Sequence, residues 1–207
     1  MHVVIDYITR NTVIRRCVID LYEGVNQLLL AIGEIPITDN TQALEADSTS
    51  DVGIARETIL RMSRSIQQEG YWFNTEIAYP LAPNSDGYIP ISLEILSIYS
   101  PTLIIKDHKL YDTVNRTYQF DNVQKVDVVF NISFDDLPYV AADAIVRDSV
   151  VSFYNNILGD TQELRVLETN RQRAALALQK AQYKHKKTNL MKGSRLLDRA
   201  KNPRGLV

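Results

Sequence analysis

The chain has 207 residues, enough for one large domain or two small ones, and 45% of them are hydrophobic, enough for a real core. Lys and Arg number 23 against 25 Asp and Glu, a formal charge of −2. These values exclude a wholly disordered chain, a collagen and a disulfide-stapled miniprotein. No apolar stretch approaches the roughly 18–20 residues that span a bilayer, and the longest notable run is Leu28–Ile32, so no membrane anchor is expected. The N-terminus lacks the basic stub and long apolar stretch of a signal peptide. A single cysteine, Cys17, cannot form an internal disulfide, which points to a reducing cytoplasm as the place of assembly.

In chain order, residues 1–15 alternate weakly through Val3, Ile5, Tyr7 and Ile8 and predict an extended arm or an extra strand. Asp20-x-x-Glu23 resembles a capping box with Asp in place of Ser or Thr. Leu21, Val25, Leu28, Leu29 and Ile32 then recur at helical spacing, and Gly33 and Pro36 stop that helix. Residues 37–50 are polar and turn-rich. A second helix is expected from about Asp51, with Val52, Ala55, Ile59, Met62 and Ile66 as a one-sided stripe and Gly70 as its end.

The period changes at Tyr71. From there to Phe134 the chain is rich in Tyr, Ile, Val and Thr and is punctuated by turn signals at Pro83–Gly87, Ser100-Pro101, Asp112 and Asn122. Val126, Val128 and Phe130 alternate with Asp127, Val129 and Asn131, which predicts a strand with Val129 on its second face. Short strands at this spacing suggest a small antiparallel β-sandwich or barrel. Helical rhythm returns after Asp135-Asp136, where Asp136 is the expected cap and Pro138 suits the first turn. Val140, Ala141, Ala144, Ile145 and Val151 form its buried face, and Gly159 closes it. Asp160-Thr161 opens a last helix, in which Leu164, Leu167, Arg171, Ala174, Leu178 and Ala181 keep a three-four rhythm to about Lys187.

The expected fold class is therefore α+β: an antiparallel helical bundle interrupted by a small antiparallel β-domain, with an extended basic C-terminal tail. The expected domains are an arm at 1–15, a discontinuous helical domain of 16–70 plus 136–187, an inserted β-domain at 71–135, and the tail at 188–207. One-sided helices must pack on one another, so the two helical pairs can close only if the β-insert begins and ends near one place.

Charge is split along the chain. Residues 1–170 hold 24 acidic and 12 basic side chains, whereas 171–207 hold 11 basic side chains and one acidic one, Asp198. An acidic body with a basic end points to an anionic partner for that end, or to a solvated tail that keeps the protein soluble. Candidate docking residues are Lys184, Lys186, Lys187, Lys192, Arg195, Arg199, Lys201 and Arg204.

The sequence offers little chemistry. No phosphate-binding glycine loop, dinucleotide fingerprint, nucleophile elbow or HExxH motif occurs. His2, His108 and His185 stand apart with no Cys or His at metal spacing, so neither a metal nor a cofactor is expected. Asp107-His108-Lys109 suits an exposed turn better than a catalytic group. Cys17, beside Arg15-Arg16, suits an ordinary half-buried cysteine better than an activated thiol. Asp135-Asp136, Glu45/Asp47/Asp51 and Asp107/Asp112 are candidate acid pairs for glycan hydrolysis, which needs roughly 5–10 Å between carboxylates; in a chain this acidic such clusters arise by chance. Gly70-Tyr71-Trp72-Phe73 holds the only tryptophan. These rings form either a ligand platform or a plug between bundle and β-domain, and their bulk favours the plug.

Three segments taken together carry a family resemblance: Asn26-x-x-Leu29-x-x-Ile32-Gly33-Glu34-x-Pro36, Asp51-x-x-x-Ala55-Arg56, and Glu69-Gly70-Tyr71-Trp72-Phe73-Asn74. Their order and spacing resemble tail tubular protein A, the head-to-tail adaptor family of short-tailed bacteriophages (podoviruses). Size, helix–strand–helix order and the basic end extend the likeness over most of the chain, and residues 1–19 depart from it by preceding the family's usual helix start. The resemblance implies a virion tail protein, assembled in the host cytoplasm as a dodecameric ring. It would join the portal protein to the tail nozzle, tail tubular protein B, with tail fibres around it and DNA passing through without sequence-specific binding. It implies no catalysis. The alternative is a tail-associated hydrolase of capsule or peptidoglycan with a structural role, and a more distant one is a DNA-binding regulator, against which the acidic body argues.

Overall fold

The computed structural model describes residues 19–159 and 162–193, apart from the side chains at 40, 43, 44 and 187–193. The expected arm at 1–15, Cys17, the Asp160-Thr161 helix start and all residues from 194 onward lie outside the described residues.

The architecture is mixed α+β, with helices flanking small antiparallel sheets. Helix α1, Leu21–Ala31, starts where Asp20 Oδ1 accepts the Glu23 N–H at 2.7 Å. Its Leu21 N–H donates to Asp135 Oδ1 at 2.8 Å, so the two ends of the helical part are tied directly. Gly33, at φ 83°, takes the left-handed conformation that ends the helix. A short helix α2, Asn40–Glu45, follows, capped by Asp39. This corrects the expectation of turns alone over 37–50; six residues are too few to show a helical period. Helix α3, Asp51–Gln67, is capped by Ser50 Oγ, which accepts the Gly53 N–H at 3.1 Å.

Helix α4, Tyr139–Leu158, is preceded by a 3-10 turn over Phe134–Asp136, and its N-cap is Pro138, with no side-chain cap bond. Asp136 is therefore not the cap. The neighbouring Asp135 is committed to α1, and the 3-10 turn sets the entry angle instead. Gly159, at φ 75°, ends α4 as expected. Helix α5, Gln162–Gly193, runs past the expected end near Lys187 and doubles back along α4, where Arg171 pairs with Asp148 at 3.2 Å. Helix α4 packs on α1, α3 and α5, and Leu28, Ile59, Ile145, Phe153 and Leu178 meet in one apolar core.

Between α3 and α4 lie five strands: β1 Thr75–Leu81, β2 Ile95–Tyr99, β3 Leu103–Lys106, β4 Lys109–Asp112 and β5 Gln124–Phe130. Strand β5 is central in an antiparallel sheet of order β1-β5-β2, with Thr75 opposite Val129 and Tyr99 opposite Asp127. Strands β3 and β4 form a hairpin whose turn residues, Asp107 and His108, both have positive φ, the mark of a tight two-residue turn. The expected turn at Asp107-His108-Lys109 is thus a hairpin tip. The two sheets share a second core that includes Ile89, Leu103, Leu110, Val126 and Val128. Val129, on the opposite face with Asp127 and Asn131, is nevertheless buried, beside Gly70.

Candidate functional site

The segment that leaves α3 for β1 is built around two buried amides. Gln67 Nε2 donates to Ser63 Oγ and to the Ile132 carbonyl, both at 2.9 Å, while its Oε1 accepts the Ile132 N–H at 2.8 Å. Asn74 Oδ1 accepts the Tyr71 N–H at 2.8 Å, and its Nδ2 donates to the Gln67 and Phe130 carbonyls, both at 2.9 Å. The end of α3, the aromatic turn and the exit from β5 are held by these two side chains. Every hydrogen-bonding group of both amides faces backbone or a hydroxyl, which is what burial of an amide requires.

Gly70 sits in the left-handed region at φ 73°. A Cβ there would lie 3.0 Å from Tyr99 Oη and 3.1 Å from Val129 Cγ2, so both conformation and space call for glycine. Tyr99 Oη in turn donates to the Glu69 carbonyl at 3.1 Å. Tyr71 belongs to the helical core, stacks on Phe73 at 5.6 Å, and donates its hydroxyl to Glu69 Oε2 at 2.8 Å. Burial, and then the Glu69 carboxylate, push the Tyr71 phenol well above its ordinary range. Trp72 lies edge-on to Phe73 and stacks flat on His185 of α5 at 4.6 Å, and its backbone N–H donates to Gln182 Oε1 at 2.9 Å. The four residues singled out in the sequence thus touch the helical core, strands β2 and β5, and α5. Sequence reasoning named the rings and missed Gln67 and Asn74, which look like ordinary polar residues along the chain.

A groove follows α5 past this turn. One cavity of about 310 Å³ is lined by Ile66, Tyr71, Ala144, Asp148, Arg171 and Leu178. A second, of about 330 Å³, is lined by Gly70, Trp72, Ile77, Tyr99, Gln182 and His185. Among the described residues, no group of three or more His, Cys, Asp or Glu could hold a metal ion. Four of the seven carboxylates considered for hydrolysis serve local structure. Asp135 holds α1, Asp47 accepts the Thr49 N–H, Asp107 accepts the Tyr118 hydroxyl, and Asp112 accepts the Val114 and Asn115 amides.

Of the candidate docking cations, Lys184 and Lys186 are exposed on α5. Lys187 and Lys192 belong to the same helix, with side chains outside the described set, and Arg195, Arg199, Lys201 and Arg204 lie outside the described residues.

Residues 22–188, most of the chain and nearly all of the helix–strand–helix framework, match the tail tubular protein family. The chain belongs to that family. It is also 30% identical to tail tubular protein A of Klebsiella phage KP34 over 142 residues, covering 66% of this chain and 73% of that relative. It is accordingly a structural protein of a bacteriophage tail and a component of the virion. Among the described residues, no helix is long and apolar enough to cross a membrane. The family match opens at Tyr22, so residues 1–19 fall outside it, as the N-terminal departure implied.

Proposed function

We propose that the chain is the head-to-tail adaptor of a short-tailed phage: a ring between portal protein and tail nozzle, through which DNA leaves and around which tail fibres attach. In this reading the helices form one antiparallel bundle, the β-module projects from it, and the aromatic turn at Gly70–Phe73 is the seam between them. The observation that carries the reading is α5. With 32 residues it is about 48 Å long, against about 30 Å for the 20-residue α4 on which it packs. Its basic end therefore runs well beyond the length of α4, past the aromatic turn where His185 stacks on Trp72, and an adaptor needs such an extension to engage a second protein. The acidic excess of residues 1–170 suits a channel, because a negative wall repels phosphates and lets DNA slide.

The basic extension is assigned to the portal, where its lysines and arginines pair with acidic side chains. The test is imaging of the purified full-length chain with and without portal protein, together with a variant lacking residues 194–207, which leaves α5 whole. Rings on the portal for the parent and loss of attachment for the truncated chain are expected. Normal attachment by the truncated chain overturns docking through residues 194–207, and DNA retention lost on truncation would turn those residues into a DNA contact.

A further inference from the structure

Helix α5 carries two stripes, and the fold uses one. Ala174 and Leu178 are buried in the helical core, and Leu164 is buried nearer the start of the helix. On the other side, Val166, Arg173 and Lys180 recur every seven residues, with Thr169, Leu176 and Tyr183 interleaved at the same interval. Residues seven apart on a helix fall within about 20° of one another, so these six make a single ridge in which basic Arg173 and Lys180 alternate with Leu176 and Tyr183. Leu176 is 54% and Tyr183 70% exposed. From Arg171 to Lys187 the helix bears no acidic residue.

The complement of this ridge lies at another place in the same chain. Residues 34–51, which carry α2 and the connections on either side of it, include Glu34, Asp39, Glu45, Asp47 and Asp51 and no Lys or Arg. Within that acidic segment Ile35 is 84% exposed, and Leu30 at the end of α1 is exposed beside it. Among the described residues, the side chains of Glu34, Glu45, Arg173 and Lys180 form no hydrogen bond or ion pair. Helix α2 packs on α1 and α3, whereas α5 packs on α4. The acidic segment and the basic ridge are thus carried by different helices of the helical part.

We infer that the two surfaces are the two halves of one contact between copies: the acidic 34–51 segment of one copy docks on the outer ridge of α5 of the next. Ile35 and Leu30 meet Leu176 and Tyr183 at the centre, and Glu34 and Glu45 face Arg173 and Lys180 at the rim. An apolar centre with a charged rim is the usual anatomy of a protein interface. Opposite charge fixes which face meets which, and a contact between unlike patches propagates head to tail, closing into a ring when the rotation allows. This inference rests on the ring reading above and names the surfaces that would build the ring.

The test uses the full-length chain with two charge-reversed variants, Glu34→Lys/Glu45→Lys and Arg173→Glu/Lys180→Glu. None of these residues caps a helix or lies in a core. Particle mass is read by mass photometry, alone and with portal protein, and melting temperature confirms folding. Each variant alone is expected to lower the assembled fraction by at least about tenfold, because like charges then face one another. An equal mixture of the two is expected to assemble again, since each altered face finds an altered partner of opposite sign and each native face a native one. Assembly of either variant alone at the parent's level, or failure of the folded mixture to assemble, overturns the inference and leaves the ring reading standing. A parent chain that stays at monomer mass with and without portal overturns both.

Discussion

The molecule has two cores of different character. In the helical part, Leu28, Ile59, Ile145 and Phe153 are wholly buried side chains contributed by three helices, and caps at Asp20 and Ser50 merely set where the helices start. In the β-module a smaller group around Ile89, Leu110 and Val128 is enclosed by short strands, and much of its shape comes from side chains bonding backbone in turns. Asn84 Oδ1 accepts the Asp86 and Tyr88 amides, Ser100 Oγ those of Thr102 and Leu103, and Asp112 Oδ1 those of Val114 and Asn115. A large continuous core supplies stability to a framework. A small core stitched by turns supplies a surface whose loops can vary without disturbing that framework.

The contrast breaks most visibly if each core is hollowed in turn. Phe153→Ala should cost about 3–5 kcal/mol and lower the melting temperature of the whole chain. Leu110→Ala should cost about 2–5 kcal/mol locally, with lost hydrogen-exchange protection confined to residues 75–130. If Leu110→Ala strips protection from α1 and α4 as well, the two cores form one cooperative unit and the distinction drawn here is wrong.

Next in size is the link between them. Gln67→Leu leaves the half-buried Ile132 N–H and carbonyl, and the buried Ser63 hydroxyl, without their partner, at a cost of about 1–3 kcal/mol. Because Gln67 and Ile132 belong to opposite ends of the insert, this variant should weaken the cooperativity of unfolding as well as its midpoint, read as a broader thermal transition. A narrow transition at the parent's temperature would mean that the amide is dispensable. Gly70→Ala should follow at about 1–2 kcal/mol, the penalty for a side chain in the left-handed region, raised by the approach to Val129 and Tyr99. Retention of the parent's melting temperature would show that the turn relaxes.

The ease with which each feature is seen in the sequence follows the range of the force that makes it. The stripes of α1, α3 and α5, the stops at Gly33, Gly70 and Gly159, and the turns at Pro83–Gly87 and Asp112 are local, and residue spacing gives them directly. Gln67 and Asn74 were invisible because their partners Ile132 and Phe130 lie 65 and 56 positions away. The expected cap of α4 at Asp136 fails because Asp136 closes a 3-10 turn and the helix starts beyond it, after Pro138, while its neighbour Asp135 bonds Leu21, 114 positions earlier, a contact no local rule reports. At the candidate site, the aromatic run announced itself by bulk. Its stacking partner His185, more than a hundred residues on, looked like an isolated histidine.

The smallest expected effect is one that the two regions share. Asp47, in the connection before α3, and Asp112, in the β-module, each accept bonds from the turn that follows, and those bonds hold both carboxyls below the ordinary aspartate range. The main cause at Asp47 is the Thr49 amide and at Asp112 the Asn115 amide. A folded-state pKa below the unfolded one stabilises the turn above the unfolded value, about 3.9 for aspartate, and that contribution is lost as the pH falls through the lower folded value. Asp47 is exposed and Asp112 only partly covered, so neither turn should carry the fold with it. Amide exchange measured by NMR should speed up at Thr49, Val114 and Asn115 as the pH drops below about 4, after correction for intrinsic rates, while amides in α4 stay protected. Asp112→Ala should make exchange at Val114 and Asn115 fast at every pH and leave Thr49 unchanged. If that substitution also exposes β3 or β4, the turns do more than shape loops, and the β-module owes its stability to them as much as to its core.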